Sequence, residues 1–497
     1  MRRTWNASAL TMLGLGVLAF VVRLVPVLRG GGLHGVLAYD GGVYFAAAEA
    51  FVFGRLPYRD FLLLHPPGIV VVLSPFAWLA RVTDDDSTGI ALARLVFMGV
   101  GALNAVLVCR VARASLGVVA GVAAGVFYAV WPPAVFAERT TLLEPWVNLG
   151  LLTGLLLLGA PRTASRRRRA LAGAALGLAT AVKLWAVVPL AVLLCWVALR
   201  RGRAALRCAA WAAGAAAVVC LPFLLSAPAS MLRHVVLDQL GRPDTGAPWQ
   251  KRLAGMTTAQ YLGRLEPHQL IWQGVLPAAL ALVAVAVAVR RSPRARPWCA
   301  LLVAQGAVLL TSPAYFPHYG GYAAPALALV VGATTADVVS VLRRFAPSQV
   351  PVAVVTGVAA ALCLLAVSVL RTDGRRAPGP QFQAMLSAAR CVAADSPGTL
   401  QAADLFVRNL RHDCVVVPDP PGMAYDLDPG GRHTRGSVAA RRAHVEWQHW
   451  MQRWFADSDA VVVRHDSAAG LSPETLGALA RGSTATSYRR YQVYVAR

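Results

Sequence analysis

Charge is what this chain has least of. Only 14% of its 497 residues are Asp, Glu, Lys or Arg, against about 25% in an average soluble domain. That scarcity excludes an ordinary soluble globular protein. Several signatures are missing too. There is no Walker-type phosphate loop, no Gly-x-Gly-x-x-Gly after a strand and no His-Glu-x-x-His, so nucleotide binding and zinc-protease chemistry have no basis here. No internal repeat or low-complexity tract occurs. Of the 8 cysteines, Cys109, Cys195, Cys208, Cys220 and Cys299 lie in or beside apolar runs, without metal-ligand spacing. Acidic residues are outnumbered 24 to 48 by Lys and Arg, giving a formal charge of +24. Nucleic-acid binding is one reading of such an excess. Here, however, the arginines fall in short blocks between apolar runs, which is the positive-inside pattern of a membrane protein.

What the chain does have is hydrophobic length. Hydrophobic residues make up 57% of it, and the mean hydropathy is +0.54. Placing the arginine blocks in the cytoplasm (among them Arg2-Arg3, Arg166 to Arg169, Arg200 to Arg207, Arg290 to Arg296 and Arg343-Arg344) predicts eleven spans. They fall at about 8–28, 88–109, 116–132, 145–161, 170–182, 184–199, 208–226, 269–289, 298–312, 320–342 and 350–370, near or somewhat below the ~20 residues a crossing needs. No small-x-small cleavage site follows the first run, so it is read as a retained span rather than a signal peptide. The N-terminus is then cytoplasmic and the C-terminus outside. The apolar run 68–79 starts with Pro-Pro, and counting it as a span would place the Arg166–Arg169 block outside. It reads as an interfacial or re-entrant helix, and 43–53 as a second interfacial helix. Short outer loops are expected at 133–144 and 312–319, and a longer one at 227–268. The expected fold is an all-α polytopic membrane domain over 1–370, followed by a small extracytoplasmic α/β domain over 371–497. In that second domain 402–410 reads as a helix, and 414–418, 460–464 and 491–496 read as strands. Cys391 and Cys414 both lie in it, and an oxidising compartment would permit a disulfide.

On this topology Asp40, Glu49, Asp60, His65, Glu138, Arg139, Glu144, Lys183 and His318 fall at outer span ends or in outer loops. Ionisable groups at membrane depth are costly and by default mark a function. Tyr39-Asp40-Gly41-Gly42 offers a carboxylate on a backbone that a ligand can approach closely. The alternative is that Asp40 caps the following helix. Glu144 before Pro145 also has the form of a helix start, with Arg139 nearby. Lys183, near Trp185, suits either a lipid phosphate or a snorkelling side chain. His65 and His318-Tyr319 add donors. Trp447, Trp450 and Trp454 lie on one helical face, as core or membrane-facing residues do; a sugar-stacking platform is the second reading.

These residues resemble the GT-C glycosyltransferases that use polyprenyl-phosphate-linked sugars, in the branch of protein O-mannosyltransferases and aminoarabinose transferases (family 39-like). The Asp40 loop with His65-Pro66-Pro67 is similar to their first external loop. The stretch from Arg139 to Glu144 resembles their arginine-x-x-leucine-leucine-aspartate motif, with Glu144 in the acidic place. Ala181-Val182-Lys183-Leu184-Trp185 resembles their lysine segment, and His318-Tyr319 a weaker downstream motif. The resemblance covers about 8–345. It implies an inverting transferase with Asp40 as general base on the acceptor hydroxyl. It also implies Lys183, Arg139, His65 and His318 at the donor phosphate, Glu144 orienting the acceptor or a cation, and Tyr39, Glu49, Asp60 and Tyr319 as acceptor or supporting groups. Many relatives carry Asp-Glu where this chain has Asp40-Gly41, so a divalent cation is the one cofactor left open. The implied partners are a polyprenyl-phosphate sugar, an extracytoplasmic acceptor and membrane lipid, with no nucleic acid. Mannose and arabinofuranose both fit. The rival reading is a transporter or flippase of a lipid-linked or anionic solute, which would carry paired broken helices in two halves; none is evident.

Overall fold

A computed structural model describes residues 2–159, 165–240, 247–257, 267–370, 374–427, 438–467 and 469–497. The chain divides into two compact units. The first comprises Met1–Pro26, Leu95–Val219 and Ala247–Thr372, and the second Val27–Arg94, Cys220–Gly246 and Asp373–Arg497. The C-terminal region therefore shares a unit with the first long loop.

The first unit is a helix bundle. Among the described residues, six helices are long and apolar enough to cross a bilayer by themselves: Ser8–Arg29, Asp86–Leu116, Gly202–Ser226, Gly274–Arg291, Pro317–Phe345 and Pro347–Leu370. A seventh would be the pair Val118–Val130 and Pro132–Glu138, bent by 59°. The other expected crossings fall on the shorter helices Glu144–Leu158, Arg166–Val182, Val187–Ala198 and Arg296–Thr311. The difference from eleven lies in those helices. The expected loop at 133–144 instead begins as the helix Pro132–Glu138, because Pro132 and Pro133 occupy a first turn where a missing N–H costs nothing. Small residues bring helices close. A Cβ on Gly150 would lie 2.6 Å from the Ala175 carbonyl oxygen, and one on Gly177 would collide with that of Ala212. Glu144–Leu158 and Arg166–Val182 pack together in this way.

In the second unit, Tyr39–Val52 packs against Gly68–Thr83. Gly41 through Ala50 are all buried, so Tyr39–Val52 is an internal helix and not the interfacial one expected at 43–53. Its Ala- and Gly-rich surface has no broad polar face to keep in water. The polar end of the chain forms a four-stranded sheet in the order β1 (Val392–Ala394), β2 (Ala460–Arg464), β4 (Tyr491–Ala496), β3 (Ser483–Tyr488). β1 and β2 are parallel and the other pairs antiparallel. Alternation along β2 buries both faces. Val462 joins Phe382, Phe406 and Val493, while Val461 and Val463 join Trp447, Met451 and Trp454. The tryptophan stripe is thus core at Trp447 and Trp454. The segment 414–418 is not a strand. Cys414 is held by a disulfide to Cys391, the Val415 carbonyl accepts from Trp454 Nε1 at 3.1 Å, and Pro418 has no N–H to give a ladder. The helix expected at 402–410 is Phe406–Arg411. It starts late because the Asp86 carboxylate accepts its first N–H groups, from Phe406 at 2.8 Å and Val407 at 3.2 Å. Residues 241–246 and 258–266 of the loop expected at 227–268 lie outside the described residues.

Candidate active site

Lys183 stands at a break between two apolar helices. Arg166–Val182 ends, Lys183 is extended (φ −145°, ψ 125°), and a 3-10 turn, Leu184–Ala186, leads into the next helix. Glu144 opens its own helix with Pro145 behind it. Lys183 Nζ donates to Glu144 Oε1 at 2.6 Å, with both side chains buried. The ammonium also lies 4.5 Å from the centre of the Trp185 ring and 4.3 Å from that of Tyr319. Those two rings meet edge to face at 4.7 Å. Tyr322 donates its hydroxyl proton to the Trp185 carbonyl at 2.8 Å. One carboxylate and two aromatic faces therefore fix the cation. His318, buried in the turn Pro317–Tyr319, is within electrostatic range of Glu144. The second oxygen of Glu144, Oε2, is buried with no hydrogen-bond partner among the described residues.

Arg139 ends the helix Pro132–Glu138 and is buried, its guanidinium 4.7 Å from the Phe136 ring. The adjacent Glu138 has a different environment. Arg23 donates to its Oε2 from Nε at 3.0 Å and from Nη2 at 2.5 Å. Asn104 and Tyr128 donate to Oε1 at 2.8 and 2.6 Å. Asn148 extends the network to the Tyr128 hydroxyl and the Gly321 carbonyl. Sequence reasoning missed Arg23, Asn104 and Asn148. The available signal was Arg23, a charge inside the first apolar run.

The second unit holds the other candidates. Asp40 lies in the first turn of Tyr39–Val52, flanked at the start by Ala38. A carboxylate there is favoured by the helix dipole. The Tyr39 hydroxyl donates to Asp419 Oδ1 at 2.8 Å, and burial together with the Asp419 charge pushes the phenol well above its ordinary pKa. A Cβ on Gly42 would lie 3.0 Å from the Gly398 nitrogen. This glycine thus admits Gly398 rather than a ligand. Gln401 donates to the Gly42 carbonyl at 3.0 Å and to Glu49 Oε2 at 2.9 Å. Glu49 is fully buried, and desolvation with the nearby Asp86 charge raises its carboxyl well above the usual range. The His65 ring meets Tyr44 edge-on at 5.5 Å, and its carbonyl accepts from the Tyr58 hydroxyl at 2.6 Å. Asp60 pairs with Arg59 at 2.8 Å and accepts from the Leu56 N–H at 2.6 Å. It shares a cavity of about 380 Å³ with Tyr58, His234, Asp419, Asp426 and Trp450. Trp450 of the stripe thus reaches a cavity.

Glu144, Lys183, Arg139, His318 and Tyr319 accordingly belong to the first unit, and Asp40, Tyr39, Glu49, Asp60 and His65 to the second. Among the described residues no three His, Cys, Asp or Glu side chains group so as to hold a metal ion. At Glu144 the charge that a cation would balance is already met by Lys183.

The fold is similar to that of solved GT-C membrane glycosyltransferases. The chain is similar to ArnT from Cupriavidus metallidurans bound to undecaprenyl phosphate, at 15% identity and TM-score 0.53 over 98% of this chain and 97% of that one. It is similar to the archaeal oligosaccharyltransferase AglB from Archaeoglobus fulgidus in complex with an inhibitory peptide and a dolichol-phosphate, at 12% identity and TM-score 0.60 over 100% and 74%. It is also similar to the arabinofuranosyltransferase AftD from mycobacteria, at 19% and 0.51 over 97% and 40%. No curated protein sequence matches. The sequence model of glycosyltransferase family 87 matches residues 63–313, and the chain belongs to that family. It is a multi-pass membrane glycosyltransferase.

Proposed function

We propose that this chain transfers a sugar from a polyprenyl-phosphate donor to an extracytoplasmic acceptor in the cell envelope, with inversion at the anomeric carbon. The observation that carries the reading is Lys183, a buried ammonium fixed by Glu144 and two aromatic rings. Such a group is preorganised for the charge that grows on a departing lipid phosphate, and it needs no reorganisation at the moment of reaction. ArnT is described with undecaprenyl phosphate and AglB with a dolichol-phosphate, which supports the same class of donor here. Arg139, His65 and His318 are assigned to that phosphate as further donors. Asp40 acts as general base and removes the proton of the acceptor hydroxyl as it attacks. The free oxygen of Glu144 accepts a substrate hydroxyl. The cavity of Asp60, Asp419, Asp426 and Trp450 is assigned to the acceptor, since carboxylates and an indole face suit a polyhydroxyl ligand better than an anionic one. The arginine blocks orient the N-terminus to the cytoplasm and the C-terminal domain outside.

The test uses purified protein in lipid vesicles and a panel of radiolabelled polyprenyl-phosphate sugars, mannose and arabinofuranose included. The parent transfers label from one of them, and Asp40→Asn, folded and inserted, does not. Retained turnover in Asp40→Asn removes the base assignment. Transfer from no donor, with flipping of the labelled lipid instead, removes the enzyme's proposed donor class.

A further inference from the structure

A cavity away from the residues discussed above belongs wholly to the first unit, at the end that carries its arginine blocks. It has a volume of about 740 Å³, within the range of small-molecule sites, roughly 300–1,000 Å³. Three arginines from three elements line it. Arg168 comes from the first turn of Arg166–Val182, Arg200 follows the end of Val187–Ala198, and Arg294 sits in the 3-10 turn Pro293–Ala295. No carboxylate is among the described residues lining it. Two of the arginines have contacts that position them. The Arg200 guanidinium lies 5.4 Å from the Trp196 ring, and Arg294 Nη1 donates to the Ser115 carbonyl at 3.4 Å. Leu155, Leu156 and Trp298 give the remaining wall an apolar stretch.

The three arginines are exposed to solvent and present their charge to the cavity with no carboxylate among its described lining residues, an arrangement complementary to an anion. Arginine forks match phosphate oxygens in particular. An apolar wall and two indoles beside them suit a ligand with an acyl portion at the membrane interface. We propose that this cavity binds the phosphodiester headgroup of an anionic phospholipid, at the leaflet opposite to the one where the sugar donor reacts. Basic pockets between membrane helices on the cytoplasmic side recognise such headgroups by the same physics. The site is independent of the transferase chemistry and stands whether or not the donor assignment is correct.

Native mass spectrometry of the full-length protein, offered phosphatidylglycerol or phosphatidylcholine, tests it. Phosphatidylglycerol adducts survive detergent removal on the parent and phosphatidylcholine adducts do not. Each arginine-to-glutamine change weakens retention about fivefold, and Arg168→Gln/Arg200→Gln/Arg294→Gln weakens it roughly 100-fold. A second triple variant, Arg166→Gln/Arg169→Gln/Arg207→Gln, removes equal charge from a smaller neighbouring cavity of about 270 Å³ that lacks the leucine wall, and keeps the adducts. If the first triple variant does not fold, Arg294→Gln alone gives the fivefold readout. Equal retention in parent and cavity variants overturns the site. Competition by millimolar inorganic phosphate as effective as by the lipid overturns the lipid as its ligand.

Discussion

Replacing Lys183 by methionine separates the structural and the chemical value of its ion pair. Lys183 is 2% exposed and Glu144 0%, so the change strands a carboxylate where water cannot reach it. One oxygen of that carboxylate already lacks a partner. Breaking such a pair from one side costs about 3–5 kcal/mol. Removing both charges is a different perturbation. Glu144→Gln/Lys183→Met keeps the volumes and leaves no ion, so stability returns to within about 1–2 kcal/mol of the parent. Transfer does not return with it. The loss of one preorganised charge opposite a developing anion costs on the order of 100- to 1,000-fold in kcat. Thermal unfolding of the detergent-purified variants measures the first quantity, and transfer in vesicles the second. A double variant that is stable and transfers at the parental rate would show that the pair only holds two helices together. A single Lys183→Met as stable as the parent would mean that Glu144 is not a stranded charge, and the burial argument would fail.

The Cys391–Cys414 bridge closes a separation of 23 residues, so reduction or Cys391→Ser lowers the stability of the second unit by about 3 kcal/mol; a thermal midpoint that ignores reductant refutes this. Glu49 has its folded pKa raised above 4.5 by burial, then by Asp86. Its contribution is therefore complete below that unfolded value and is lost as pH rises through the folded one. Glu49→Gln mimics the protonated acid and flattens that part of the stability profile, which thermal melts across pH will show or not. Gly42→Val pushes against the Gly398 backbone at 3.0 Å and destabilises by roughly 1–3 kcal/mol, whereas Gly54→Ala, at φ +87° with open space around it, is limited to the backbone penalty of roughly 1–2 kcal/mol. Trp450→Ala raises the acceptor KM about five- to tenfold with kcat near parental if the indole stacks on acceptor sugar; an unchanged KM removes Trp450 from that cavity's function.

Sequence patterning carried the membrane class well, because hydropathy and arginine placement are properties of composition along the chain. It also located β2 and β4, where Ala460–Arg464 and Tyr491–Ala496 are rich in β-branched or aromatic residues. It could not locate β1 or β3. β1 is three residues long, and β3 reads Ser-Thr-Ala-Thr-Ser-Tyr with an exposed middle, so its strand character comes from pairing with β4. The run at 414–418 failed in the opposite sense, since its valines look like a strand but its ends are tied by a disulfide and a proline. The internal position of Tyr39–Val52 was hidden for a similar reason. Its burial depends on Phe382, more than 300 residues on, and no local period encodes that.

At the candidate site the residue types were legible and their states were not. Glu138 and Glu144 are both acids beside the same arginine, and sequence placed both at the outer end of a span. Their environments assign them different work. Every oxygen of Glu138 is used, with Arg23 on one and Asn104 and Tyr128 on the other. A saturated buried carboxylate has no lone pair to offer a substrate, and its network fixes the helices that meet there. Glu144 has one oxygen on Lys183 and one unpaired. An unpaired buried acceptor costs about 1–3 kcal/mol, which a fold with no further use for the position would be expected to remove. The contrast makes a paired prediction. Glu138→Gln, which keeps its acceptor oxygen but gives up the charge facing Arg23, should lower stability by several kcal/mol while the folded fraction keeps its kcat. Glu144→Gln should lower kcat far more than its own stability cost explains. Transfer rates normalised to the folded fraction, measured in both variants, decide it, and equal losses in kcat for the two would abolish the distinction.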